Sequence, residues 1–163
     1  MYLKPNWQPK NSFLINPNKI DTLQVANYDG SLLPENKMIR KQILIVDDQE
    51  HLRELIKLCL EDLAGWNTLV AESGQECLQI LQTERPNAIL LDVSMPGMDG
   101  FAVCDRLQSD PITRSIPVIL VTAKILSSDM AEFAEKGVAG VIRKPFEATT
   151  LAGKVAEILG WDD

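Results

Sequence analysis

The chain has little of what metal centres, disulfide scaffolds and membrane anchors need: three cysteines and one histidine among 163 residues. No apolar run approaches the roughly 18–20 residues required to span a bilayer, so no membrane insertion is expected. The first residues hold Lys4, Pro5, Trp7 and Pro9 rather than the continuous apolar stretch of a secretory signal, and a cytoplasmic address follows. Cys59, Cys77 and Cys104 fall in helical stretches without a Cys-x-x-Cys spacing or clustered histidines. They are expected as reduced thiols acting as small apolar residues. His51 has no second imidazole nearby and is expected on the surface.

Positive charge is also scarce in most of the chain. Residues 42–163 carry ten Lys/Arg against twenty Asp/Glu, whereas residues 1–41 carry six against three. An acidic body repels a phosphate backbone, so no nucleic acid partner is expected.

Residues 1–41 contain four of the nine prolines and no sustained helical period. They are expected as an N-terminal extension, either a flexible arm or a short hairpin turning at Asn27-Tyr28-Asp29-Gly30. From Gln42 the pattern changes. Ile43-Leu44-Ile45-Val46 is a continuous aliphatic run of the kind found in a parallel strand covered on both faces. Leu52, Leu55, Ile56, Cys59, Leu60 and Leu63 then recur at three-and-four spacing, which predicts a helix over 51–63 ended by Gly65.

The alternation continues with strands over 68–71, 88–91, 118–121 and 140–142. Helices are predicted over 74–83, 101–108, 128–136 and 148–159. Five strands alternating with five helices predict an α/β fold, a doubly wound five-stranded parallel sheet with right-handed crossovers. Active groups in such sheets lie at the carboxyl ends of the strands.

The residues that follow the apolar runs are Asp47-Asp48, Asp92, Thr122 and Lys144-Pro145. Three carboxylates converging on one sheet edge repel one another, and a hard divalent cation with oxygen ligands, most simply Mg2+, offsets that repulsion. A cation, an ammonium and a hydroxyl beside a carboxylate suit phosphoryl transfer, where positioning and charge neutralisation do most of the catalysis. Asp92 is the best acceptor because it stands alone at the end of the central strand. Asp47 and Asp48 are better suited to metal binding. Pro96, Gly97 and Gly100 make the following segment a turn that leaves its backbone near the site.

Four blocks, Ile43 to Asp48, Leu90 to Gly100, Val121-Thr122-Ala123 and Lys144-Pro145-Phe146, together resemble the signature set of the response-regulator receiver family, in order, over about 120 residues. The resemblance implies a CheY-like, flavodoxin-type fold with strand order 2-1-3-4-5. It also implies phosphorylation by a sensor histidine kinase or phosphotransfer protein. Asp92 matches the phosphoacceptor, Thr122 the switch hydroxyl and Lys144 the phosphate-binding lysine. Asp48 matches the direct metal ligand and Asp47 its water-mediated neighbour, with a backbone carbonyl of Val93 or Ser94 completing the set. Pro145 matches a proline that tends to form a cis peptide.

Val141 departs from the pattern, standing where receivers commonly carry Tyr or Phe three residues before the lysine. The resemblance implies that Ser94 and Lys124 stand at positions that tune access of water to the acyl phosphate. Met95, Met98 and Phe101 are expected as packing residues, and Trp66 and Trp161 as edge or surface packing.

Two functions of different class compete: a phosphorylation-controlled switch, and a receiver-fold scaffold that works without phosphorylation. The intact acidic set favours the first. A phosphatase of the haloacid-dehalogenase type needs a second Asp where Ser94 stands. With few residues beyond the last predicted helix, output is expected through protein contacts rather than an attached output domain. Those contacts are expected on the face of the fourth helix, fifth strand and fifth helix, to a downstream target or in a homodimer.

Overall fold

The computed structural model describes residues 40–123 and 129–161, with the side chain of Met130 left aside. The expected N-terminal extension, Lys124 and the start of the fourth helix at Ser128 lie outside the described residues. Gln42–Val46 forms β1, Glu50–Leu58 forms α1, and a π-helical turn over Cys59–Leu63 continues it. Then come β2 (Asn67–Ala71), α2 (Gly74–Ile80), β3 (Ala88–Asp92) and α3 (Gly100–Ser109). The chain continues through β4 (Val118–Thr122), α4 (Asp129–Glu135), β5 (Gly140–Arg143) and α5 (Ala148–Leu159). The strands form one parallel sheet in the order β2-β1-β3-β4-β5, as expected.

The unbroken apolar runs make strands because both faces of the sheet are covered. Leu44, Val46, Ile89, Leu91, Val118 and Leu120 face α2 and α3, where Cys77, Val103, Cys104 and Leu107 meet them. Ile43, Ile45, Leu90, Ile119 and Val121 face the opposite layer, where Ile56 of α1, Leu60 of its π-helical turn, and Leu151 and Val155 of α5 meet them. The two-residue period of a strand assigns neighbours to opposite cores. A polar residue within such a run would have no solvent-facing side to occupy, and none occurs before Asp92 or Thr122.

Two predicted helices differ in detail. The stripe over 51–63 is present, but its last five residues are π-helical, which the three-and-four spacing did not distinguish. Gly65 follows with φ of 67°, the left-handed conformation that glycine adopts without steric cost. The second helix stops at Ile80 rather than Thr83, and residues 81–83 form a turn. Strands three, four and five each run one residue further than predicted, so Asp92 and Thr122 are themselves the last strand residues.

Ser73 caps α2 by accepting the Glu76 amide, and Asp99 caps α3 by accepting the Ala102 amide at 2.8 Å. Trp66 and Trp161 meet edge to face, with centroids 5.4 Å apart, and the Lys41 ammonium lies 4.7 Å from the Trp161 ring. This closes the edge of the layer formed by α1 and α5, the packing role expected of both tryptophans. Met95 is buried, while Met98, Phe101 and Val141 pack partly buried against the layer of α2 and α3. All three cysteines are free and buried. Among the described residues no helix is long and apolar enough to cross a membrane.

Candidate functional site

Parallel strands place their carboxyl ends along one edge, and that edge carries the polar residues singled out above. Asp92 ends β3 paired beside Val121, and Thr122 ends β4 beside Arg143. The amide of Asp47, one residue beyond β1, donates to the carbonyl of Ala71. The amide of Lys144, one residue beyond β5, donates to the carbonyl of Thr122 at 2.8 Å. The Lys144–Pro145 peptide is cis.

Ligand-capable oxygens of Asp47, Asp48 and Asp92 all lie within 4.8 Å of one another. Asp47 and Asp92 are 1% and 3% exposed, whereas Asp48 is open to solvent. Thr122 is buried at the neighbouring strand end. The Lys144 ammonium lies 2.7 Å from Oδ2 of Asp47 and 3.3 Å from Oδ1 of Asp92. One ammonium therefore serves two buried carboxylates. Burial pushes the Asp92 carboxyl above the usual carboxylate range and the Asp47 charge adds to the rise. The Lys144 ammonium and the Ser94 amide act the other way without cancelling it.

The turn after Asp92 is held against the site by Gly100. A Cβ at that position would come 2.5 Å from the Asp92 carbonyl oxygen and 2.8 Å from the Val93 Cα. Only glycine lets the start of α3 approach so closely. The Val93 carbonyl accepts two amides, from Met95 at 3.2 Å and Gly100 at 3.0 Å. Ser94 is exposed.

Asp47, Asp48, Asp92 and Lys144 thus meet in one cluster, Thr122 ends the adjoining strand, and Val93 and Ser94 border the cluster. The sequence reading missed Arg53, whose Nη1 donates to the Asp47 carbonyl at 2.7 Å. Its only signal was a cation six residues after the acidic residue, on the first turn and a half of the predicted helix. Three carboxylates carrying more negative charge than one ammonium balances, with hard oxygen donors and one solvent-open member, fit a hard divalent cation that keeps some of its waters.

Residues 43–156 match the model of the response regulator receiver domain. The phosphate regulon transcriptional regulatory protein PhoB of Pseudomonas aeruginosa is 37% identical over 122 residues, 75% of this chain and 53% of its own length. The chemotaxis protein CheY of the same organism is 36% identical over 117 residues, 72% of this chain and 94% of its own. The chain spans about half the length of several of these relatives, whose additional segments have no counterpart in the match. A crystallised chemotaxis protein of Vibrio cholerae superposes with a TM-score of 0.69 at 28% identity, covering 73% of this chain and 98% of that one. A putative response regulator from Chloroflexus aurantiacus gives 0.68 at 35% identity, covering 74% and 98%. With the family match over most of the chain and the five-stranded CheY-like sheet, the chain belongs to the response-regulator receiver family, the signalling modules of two-component systems.

Proposed function

We propose that Asp92 accepts a phosphoryl group from the phosphohistidine of a sensor histidine kinase or phosphotransfer protein, with Mg2+, and that the aspartyl phosphate switches protein–protein contacts. The observation that carries this reading is a buried carboxylate at the end of a central strand, its pKa raised, that shares one ammonium with a second buried carboxylate.

In the transfer, a carboxylate oxygen of Asp92 forms the new O–P bond as the N–P bond to the donor imidazole breaks, and the imidazole leaves with the bonding pair. A carboxylate whose basicity is raised by burial is the stronger nucleophile once ionised. Lys144 is placed to offset charge on the equatorial oxygens, and Thr122 to donate its hydroxyl to one of them. When bound, Mg2+ supplies the further positive charge that transfer between two anionic groups requires. Asp48 and Asp92 would hold it directly, with Asp47 acting through water. Of the two backbone carbonyls considered, the Val93 oxygen is already engaged by two amides. The Ser94 carbonyl is therefore the better candidate.

On this reading residues 42–163 are the receiver and residues 1–41 an extension, and the chain catalyses only its own aspartyl phosphorylation and dephosphorylation. Its partners are the cytoplasmic phosphodonor and a downstream protein that meets α4, β5 and α5, or a second copy of the chain. The excess of acidic residues in 42–163 argues against a nucleic acid partner.

The test is the intact mass after incubation with Mg2+ and a small acyl-phosphate or phosphoramidate donor, beside Asp92→Asn. One added phosphoryl group in the wild type, absent in the variant and without Mg2+, is expected. No added mass in folded wild type with either donor or a histidine kinase would leave the phosphorylation-independent scaffold as the better account.

A further inference from the structure

Asp47 and Asp48 are neighbours in sequence, yet the fold holds their carboxylates in different ways. Both oxygens of Asp47 are tied, Oδ1 by the Gln49 amide at 2.8 Å and Oδ2 by the Lys144 ammonium at 2.7 Å. Asp48 is exposed, and among the described residues no side chain or amide holds its carboxylate. Its place in the cluster is therefore set by the main chain. The Asp47 carbonyl belongs to the planar peptide unit that joins the two residues, so a bond to that oxygen fixes the direction in which Asp48 leaves the strand. The donor to that oxygen is Nη1 of Arg53, half-buried on α1, which is in turn anchored where the Leu52 and Arg53 amides donate to the Gln49 carbonyl.

We propose that Arg53 is a positioning residue for the acidic cluster: by holding the Asp47–Asp48 peptide plane it keeps the exposed Asp48 carboxylate aimed at a shared divalent cation. The inference rests on the Mg2+ reading above. The sign of the effect separates it from simple electrostatics. As a charge alone, a guanidinium beside the cluster repels a divalent cation, and removing it tightens metal binding. As the clamp on the peptide plane, its loss weakens binding, by about tenfold if it acts like other groups that orient metal ligands.

Calorimetric titration of the full chain with Mg2+ decides between these, comparing wild type, Arg53→Ala, Arg53→Lys and the same alanine change in an Asp48→Asn background. Titrations run well below each variant's melting temperature, so partial unfolding does not mimic a loosened site. Weaker binding by Arg53→Ala is expected, partial recovery by Arg53→Lys, and little further loss when Asp48 is already Asn. Should Arg53→Ala fail to fold, Arg53→Met, which keeps the apolar stem and lacks both donor and charge, carries the same comparison, with weaker Mg2+ binding expected and equal or tighter binding overturning the inference. Equal or tighter binding by the alanine variant, or a full additional loss in the Asp48→Asn background, overturns the inference while leaving the metal reading intact. A folded wild type that takes up no Mg2+ overturns both.

Discussion

Lys144 and Asp47 are separated by 97 residues of sequence and by 2.7 Å in the fold. The same ammonium reaches Asp92 at 3.3 Å, so it is the common counter-charge for two carboxylates that are almost wholly buried. Removing one partner from such a group costs more than its presence contributes, because the charges left behind are uncompensated.

Lys144→Ala is therefore expected to destabilise the metal-free protein by roughly 2–4 kcal/mol. Because a divalent cation would replace the lost counter-charge, saturating Mg2+ should recover a large part of that loss. Thermal melting of wild type and variant, each with chelator and with Mg2+, checks both statements. A variant as stable as wild type in chelator would show that the ammonium is not balancing the cluster.

Asp92→Asn should act in the opposite direction. Burial raises the Asp92 pKa in the folded protein above its unfolded value, so the folded state binds this proton more tightly. In chelator, the Asp92 contribution to stability falls as pH rises from the ordinary carboxylate range through the raised value, and stays at its lower level above it. Asparagine removes that pH-dependent loss. Urea denaturation at neutral pH should find the variant more stable, with the difference shrinking on acidification. A less stable variant at neutral pH would contradict the assigned cost of the buried charge.

Two glycines should respond with opposite sign to the same change. At Gly100 a methyl group would meet the Asp92 and Val93 backbone, which cannot step aside without moving the site. Gly100→Ala is expected to cost more than about 2 kcal/mol. Gly153 lies within α5, with nothing within 4 Å of an added Cβ. There alanine should stabilise by about 0.5–1 kcal/mol through helix propensity. Parallel urea titrations measure both, and a destabilised Gly153→Ala would fault the helix argument.

The three thiols should be inert in the native protein. Burial pushes Cys77 to about 12 and Cys104 to about 11, and Cys59 is raised by the same cause. The reactive thiolate of Cys77 and Cys104 is then a negligible fraction at pH 8, and Cys59 is shielded by its burial. A colourimetric thiol reagent should detect none within minutes in buffer and three in denaturant. Rapid native reaction would mean that one of the helices carrying them opens readily.

Much of this could be read along the chain. The run from Ile43 to Val46 has no polar residue and therefore needs cover on both faces, and a polar residue that ends such a run, as Asp92 and Thr122 do, must stand at the strand end. Short-range rules were less exact where competing local geometries share a pattern. The apolar stripe ending at Leu63 is satisfied by a π-helical turn as well as by an α-helical one, and the turn over 81–83 kept the apolar residue Leu81 buried without continuing the helix. Arg53 was passed over because a cation on the first turns of a helix ordinarily faces water.

The sequence alone determined which residue types stand at the strand ends, since hydrophobic period and chain order are local properties. Tertiary structure decided how they share their bonds. Asp47 and Asp48 are identical in chemistry and adjacent, yet one is buried with both oxygens bound and the other is open to solvent. That difference exists only once β1 lies between β2 and β3, α1 has turned Arg53 back onto the Asp47 carbonyl, and β5 has delivered Lys144. Hydrogen bonds and ion pairs act over a few ångströms, and only the folded chain sets which groups fall within that range.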